Sequence, residues 1–140
     1  MNSRLYLFRV LTVGWMMLIF FLSAQTSLST VSLFRGSDLL AHAFVYGVLC
    51  LLLARSFVPP RVTTWKWVLV LTILVTAYGV TDEYHQSYVP GRDTSVWDIL
   101  ADGTGGFLVA VALFWWDRRA VRISQFIYCC KLRDATLHWS

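Results

Sequence analysis

Four long apolar runs, at residues 5–22, 39–58, 65–80 with extension to 87, and 96–116, leave this 140-residue chain few ways to fold. Each lies near the roughly 20 residues that an α-helix needs to cross the hydrocarbon core of a bilayer. The intervals carry turn-forming residues: Ser27, Ser29, Thr30, Ser32 and Gly36, then Pro59-Pro60, then Pro90-Gly91. With 57% hydrophobic and only 14% charged residues, the composition argues against a water-soluble globule, which runs at about 25% charged. The chain is expected to be an all-α membrane protein: an antiparallel bundle of four transmembrane helices over residues 1–117, then a basic cytoplasmic tail over 118–140. The first run is expected to remain as a span. It exceeds the about 7 to 15 residues of a signal-peptide core, and it ends at Leu22 where a cleavage site prefers a small side chain.

Basic residues resist translocation, so their distribution sets orientation. Arg4 and Arg9 at the N-terminus, Arg55, Arg61 and Lys66 around the second loop, and Arg118, Arg119, Arg122, Lys131 and Arg133 in the tail fall on one side. Only Arg35 and Arg92 fall on the other. Both termini are therefore expected in the cytoplasm, with the first and third loops outside. The acids run the opposite way: Asp38, Asp82, Glu83, Asp93, Asp98 and Asp102 gather at the outer helix ends, and Asp117 and Asp134 lie inside. A net charge of +4 in so apolar a chain suits anionic lipid at the inner surface rather than nucleic acid. The tail alternates its basic residues with Val121, Ile123, Phe126, Ile127, Tyr128, Leu132 and Trp139, as an interfacial amphipathic helix does.

Several chemistries lack their signatures. Cys50, Cys129 and Cys130 have neither zinc-site nor redox-pair spacing, and in a reducing compartment the two tail cysteines are expected to serve packing as thiols. No phosphate-binding GxxxxGK[ST], no GxGxxG and no HExxH occurs.

Ionisable residues within membrane helices are costly and point to function, less so at a helix end than at the midplane. Asp38, His42 and Tyr46 are spaced four apart and share one helix face. Asp38 can cap the helix or serve a site equally well; His42 favours a site, since an Asp one turn away can orient an imidazole. Thr81-Asp82-Glu83-Tyr84-His85-Gln86 places two carboxylates, an imidazole and an amide within one and a half turns, which no packing need requires. Ser95 and Asp98 form an S-x-x-D pattern close to a capping box, whereas Asp102 lies one turn deeper than capping needs. Gly103, Gly105 and Gly106 allow close helix approach. Arg92, in a Pro-Gly-Arg turn between two acidic helix ends, suits either a structural ion pair or an anion clamp.

Together, Phe20-x-Leu-Ser-Ala-Gln, Asp38-x3-His42-x3-Tyr46, Asp82-Glu83-Tyr84-His85-Gln86, Val89-Pro90-Gly91-Arg92 and Asp98-x3-Asp102 with Gly105 resemble the VanZ-like family of small bacterial membrane proteins. The resemblance covers residues 10–116, and the block from Asp82 to Arg92 is its most specific part. Where the family commonly has Asn, four residues after the Asp of the last span, this chain has Asp102. The resemblance implies a multi-pass protein of the bacterial cytoplasmic membrane with its active face outward, in a family whose founding member is associated with low-level resistance to the glycopeptide teicoplanin.

Two functions stand open on the residues. One is an enzyme acting on an anionic lipid or lipid-linked cell-wall intermediate in the outer leaflet, with His42 as general base or nucleophile, and Glu83 and Asp98 as acid or orienting groups. Arg92 would then hold a phosphate, and Asp38, Tyr46, Asp82, His85, Gln86 and Asp102 would line the substrate site. A divalent metal held by His42, His85, Glu83 and Asp98 is compatible with that set. The other is a non-catalytic binding module of the cell envelope. A purely structural hydrogen-bond network is a third reading, because membrane helices lack a hydrophobic drive to associate. Transport is disfavoured: no charge falls at a midplane, and four helices would need to form a homo-oligomer.

Overall fold

A computed structural model describes residues 3–25, 37–57, 64–92 and 94–137; Ile127 and residues 129–137 are described by backbone alone. The first-loop residues from Ser27 to Gly36, Pro59, Pro60, Arg61, Asp93 and Trp139 lie outside the described residues. So do the side chains of Cys129, Cys130, Lys131, Leu132, Arg133 and Asp134.

All described secondary structure is helical: α1 Ser3–Ser23, α2 Ser37–Ser56, α3 Trp65–Gln86 and α4 Val96–Leu137. The first three hold 21, 20 and 22 residues, or about 30 Å at 1.5 Å per residue. Helix α4 holds 42 residues. The tail expected as a separate interfacial helix thus continues α4, because no Gly or Pro follows Gly106 to break it. At about 60 Å this helix is twice the thickness of a hydrocarbon core.

Helices α1, α2 and the 96–126 part of α4 are long and apolar enough to cross a membrane. Helix α3 is long enough, but Lys66 at its start and the Asp82–Gln86 cluster at its end dilute its hydropathy. Between these ends, residues 67–81 carry no charge.

The surface supports the same environment. Leu7, Phe20, Phe21, Leu40, Phe44, Leu69, Ile73 and Leu108 all project outward, an apolar exterior that a soluble monomer does not present in so continuous a form. The interior is small and tightly filled by Tyr46, Leu49 and Cys50 of α2, Val68, Leu71 and Val75 of α3, and Ala110 and Phe114 of α4.

Helix α4 packs chiefly on α2 and α3, and α1 on α2. A Cβ on Gly105 would stand 2.7 Å from Ala43 Cα and 2.6 Å from its carbonyl carbon, so α2 and α4 touch backbone to backbone there. Such contact replaces hydrophobic drive with close van der Waals packing. Polar bonds fasten the other pairs: Trp15 Nε1 donates to Val45 O at 3.1 Å, Tyr78 Oη to Met16 O at 2.7 Å, and Thr12 and Ser56 share a hydrogen bond of 2.7 Å. These pairings set the last turns of α1 and α3 beside the first turns of α2 and α4, gathering the polar residues of four helix ends at one end of the molecule.

Candidate functional site

The close approach at Gly105 determines what happens one residue from Ala43. It holds His42 against α4, where Nδ1 lies 2.9 Å from Asp102 Oδ1 and Nε2 lies 3.9 Å from Asp98 Oδ2. Asp102 is 1% exposed, and Gly79 of α3 makes its room, since a Cβ there would stand 2.5 Å from Oδ2. With Nδ1 donating to that carboxylate, a neutral ring would carry its lone pair on Nε2. Asp102 is placed to orient the imidazole.

Asp98 faces His42 because its capping duty is taken by another residue. Ser95 Oγ accepts from Trp97 N at 3.2 Å, as an N-cap does, but the reciprocal bond from Ser95 N goes to Glu83 Oε1 of α3. Glu83 thus occupies the place that the S-x-x-D pattern assigns to Asp98, and joins the end of α3 to the start of α4. It remains within electrostatic reach of His42, as Asp98 and Asp102 do.

His42 also lines a cavity of about 140 Å³, with Ile19, Leu22 and Ser23 of α1, Ala41, Val45 and Tyr46 of α2, Asp82 and Gln86 of α3, and Arg92. Tyr46 Oη donates to Asp82 Oδ2 at 3.2 Å, and Gln86 Nε2 donates to the same oxygen at 3.0 Å. Arg92 reaches in from the turn after α3, where Gly91 takes φ 82°, a conformation that a side chain resists. Its Nη2 donates to Leu22 O at 3.4 Å.

Of the residues singled out in the sequence, His42, Tyr46, Asp82, Gln86 and Arg92 line the cavity, and Asp98, Asp102 and Glu83 lie within electrostatic reach of the imidazole. Two stand apart. Asp38 is exposed at the first turn of α2. His85 stacks on the Phe20 ring of α1, with centroids 4.0 Å apart, and does not line the cavity. Among the described residues no three His, Cys, Asp or Glu side chains are grouped to hold a metal ion.

Sequence reasoning confined the pocket to α2, α3 and α4 and missed the wall that α1 supplies; the Phe20-x-Leu-Ser block was the available signal. It also counted Arg55 and Asp117 only as charges, although at the far end they form a two-pronged ion pair of 3.0 and 3.4 Å, with Asp117 buried. Comparison of the chain with protein-family models, curated proteins and solved structures finds no match.

Proposed function

We propose that this chain is a VanZ-like four-span protein of the bacterial cytoplasmic membrane, with both termini in the cytoplasm. In this reading its outward-facing cavity acts on an anionic lipid or lipid-linked cell-envelope intermediate. The observation that carries the proposal is the placing of His42: its Nδ1 is paired with Asp102 at 2.9 Å, and it lines the same cavity as Arg92. The uncharged stretch 67–81 of α3, packed at the centre through Val68, Leu71 and Val75, supports its counting as the fourth span.

In this mechanism Arg92 neutralises a phosphate oxygen. His42 Nε2 takes the proton of a water or hydroxyl as its oxygen bonds to phosphorus, and returns it to the oxygen that leaves as the opposite P–O bond breaks. Tyr46 and Gln86 hold Asp82 in place beside them.

A second reading is favoured by one distance. Asp98 Oδ2 stands 3.9 Å from Nε2, the nitrogen that a base needs free. A protonated His42 between two carboxylates would serve as a fixed cation beside Arg92, in a non-catalytic envelope binding module of the kind associated with glycopeptide resistance. Protein in lipid nanodiscs, incubated with a panel of phospholipids and lipid-linked phosphates with and without divalent metal, separates the two. Products seen by mass spectrometry and lost in folded His42→Ala support the enzyme; retention of a lipid without turnover supports the binding module. Neither product nor retained lipid refutes both.

A further inference from the structure

Two buried polar atoms on the cavity wall have no partner. Asp82 is 4% exposed; its Oδ2 accepts from both Tyr46 and Gln86, while its Oδ1 is buried and unpaired. Arg92 Nε is likewise buried and unpaired. Leaving such groups unmatched is unfavourable, the more so for charged ones. Although both residues line one cavity, Asp82 and Arg92 form no ion pair with each other.

The two atoms ask for opposite things. Arg92 Nε is a donor on a cation and requires an anionic acceptor; Asp82 Oδ1 is an acceptor on an anion and requires a cationic or neutral donor. A simple phosphate would satisfy the first and set negative charge against the second. A ligand with an anion and a hydrogen-bond donor satisfies the two atoms at once, and one whose donor is cationic also pairs the Asp82 charge, through a stronger charge-assisted bond. Besides the polar Ser23, His42, Tyr46 and Gln86, the lining includes Ile19, Leu22, Ala41 and Val45, apolar side chains that suit the start of a lipid's glyceryl and acyl portion. At about 10 to 15 Å³ per water, 140 Å³ holds a group of several heavy atoms.

We infer that the cavity binds the headgroup of an aminophospholipid of the phosphoethanolamine class, with the phosphodiester at Arg92 and the primary ammonium at Asp82 Oδ1. The inference rests on the reading of this cavity as a lipid site and names its ligand.

Native mass spectrometry of the full chain, released from nanodiscs of equimolar phosphatidylethanolamine, phosphatidylcholine and phosphatidylglycerol with matched acyl chains, tests it. The wild-type protein should retain the ethanolamine lipid about tenfold over the other two, the worth of one charge-assisted hydrogen bond. Asp82→Asn should bring the ethanolamine and glycerol lipids to parity, and Arg92→Gln should weaken all three. Should Asp82→Asn fail to fold, the wild-type protein alone decides, because the choline headgroup has no N–H to offer Oδ1. Equal retention of phosphatidylglycerol or phosphatidylcholine by the wild type overturns the inference and leaves the lipid site standing. Retention of none overturns both.

Discussion

Adding one methyl group at Gly105 should separate α2 from α4, whereas the same change at Gly14 should not. In Gly105→Ala the new Cβ would lie 2.7 Å from Ala43 Cα and 2.6 Å from its carbonyl carbon, against ordinary contacts that begin at 3.4 Å. The obstacle is backbone, the Ala43 carbonyl oxygen nearest of all, which no rotamer change relieves, so α2 must retreat by about 0.8 Å or more. His42, beside Ala43, retreats with it, and its 2.9 Å bond to Asp102 lengthens past the 3.5 Å limit of a hydrogen bond. Overpacking of this kind costs about 1–3 kcal/mol. Gly14 has nothing within 4 Å of its would-be Cβ, so Gly14→Ala gains about 0.5–1 kcal/mol of helix propensity. Thermal unfolding in one detergent, followed by tryptophan fluorescence, should place the two variants on opposite sides of the wild type. Retained lipid should fall only in Gly105→Ala. Equal melting of Gly105→Ala and wild type, with lipid retention intact, would refute the close contact and the positioning of His42 derived from it.

Further expectations concern the other fastenings. Asp117→Ala leaves Arg55 without its two-pronged partner and should destabilise the protein by about 3 kcal/mol, the low end for buried pairs because the Arg55 side chain is 21% exposed; an unchanged denaturation midpoint would oppose it. Glu83→Ala removes the acceptor of Ser95 N and should cost about 1–2 kcal/mol, with faster proteolysis in the turn between α3 and α4, while Glu83→Gln, which keeps an acceptor oxygen, should be milder; equal cleavage in both would assign Glu83 another part. If His42 is a base, His42→Asn should lower turnover about 10²–10⁴-fold in protein that melts as the wild type does. In a cysteine-free background, Tyr88→Cys should react with an impermeant maleimide on intact cells and Arg119→Cys only after lysis, and the reverse pattern would invert the topology.

Helix existence was legible because apolar runs of bilayer length leave the backbone one way to satisfy its polar groups. The pairing of His42 with Asp98 and Asp102 was only half legible. Spacing put each on a helix face, but which face met which depended on the contact at Gly105. Glu83 and Asp98 exchanged parts for a similar reason: the S-x-x-D spacing describes a cap within one helix, and the structure supplies that bond from another. Asp38 and His85 share faces or turns with cavity residues, yet their side chains leave toward the exterior and toward Phe20.

The sequence by itself determined the existence and approximate bounds of the first three helices, the apolar exterior and the concentration of acids at one end, since these follow from local composition and the 3.6-residue repeat; that the tail continues α4 came from the structure. Tertiary structure decided which acid orients the imidazole, which one caps a neighbouring helix, and that α1 closes the cavity. Those outcomes turn on distances of a few ångströms between residues up to 70 positions apart. They are set by where glycine lets two backbones meet.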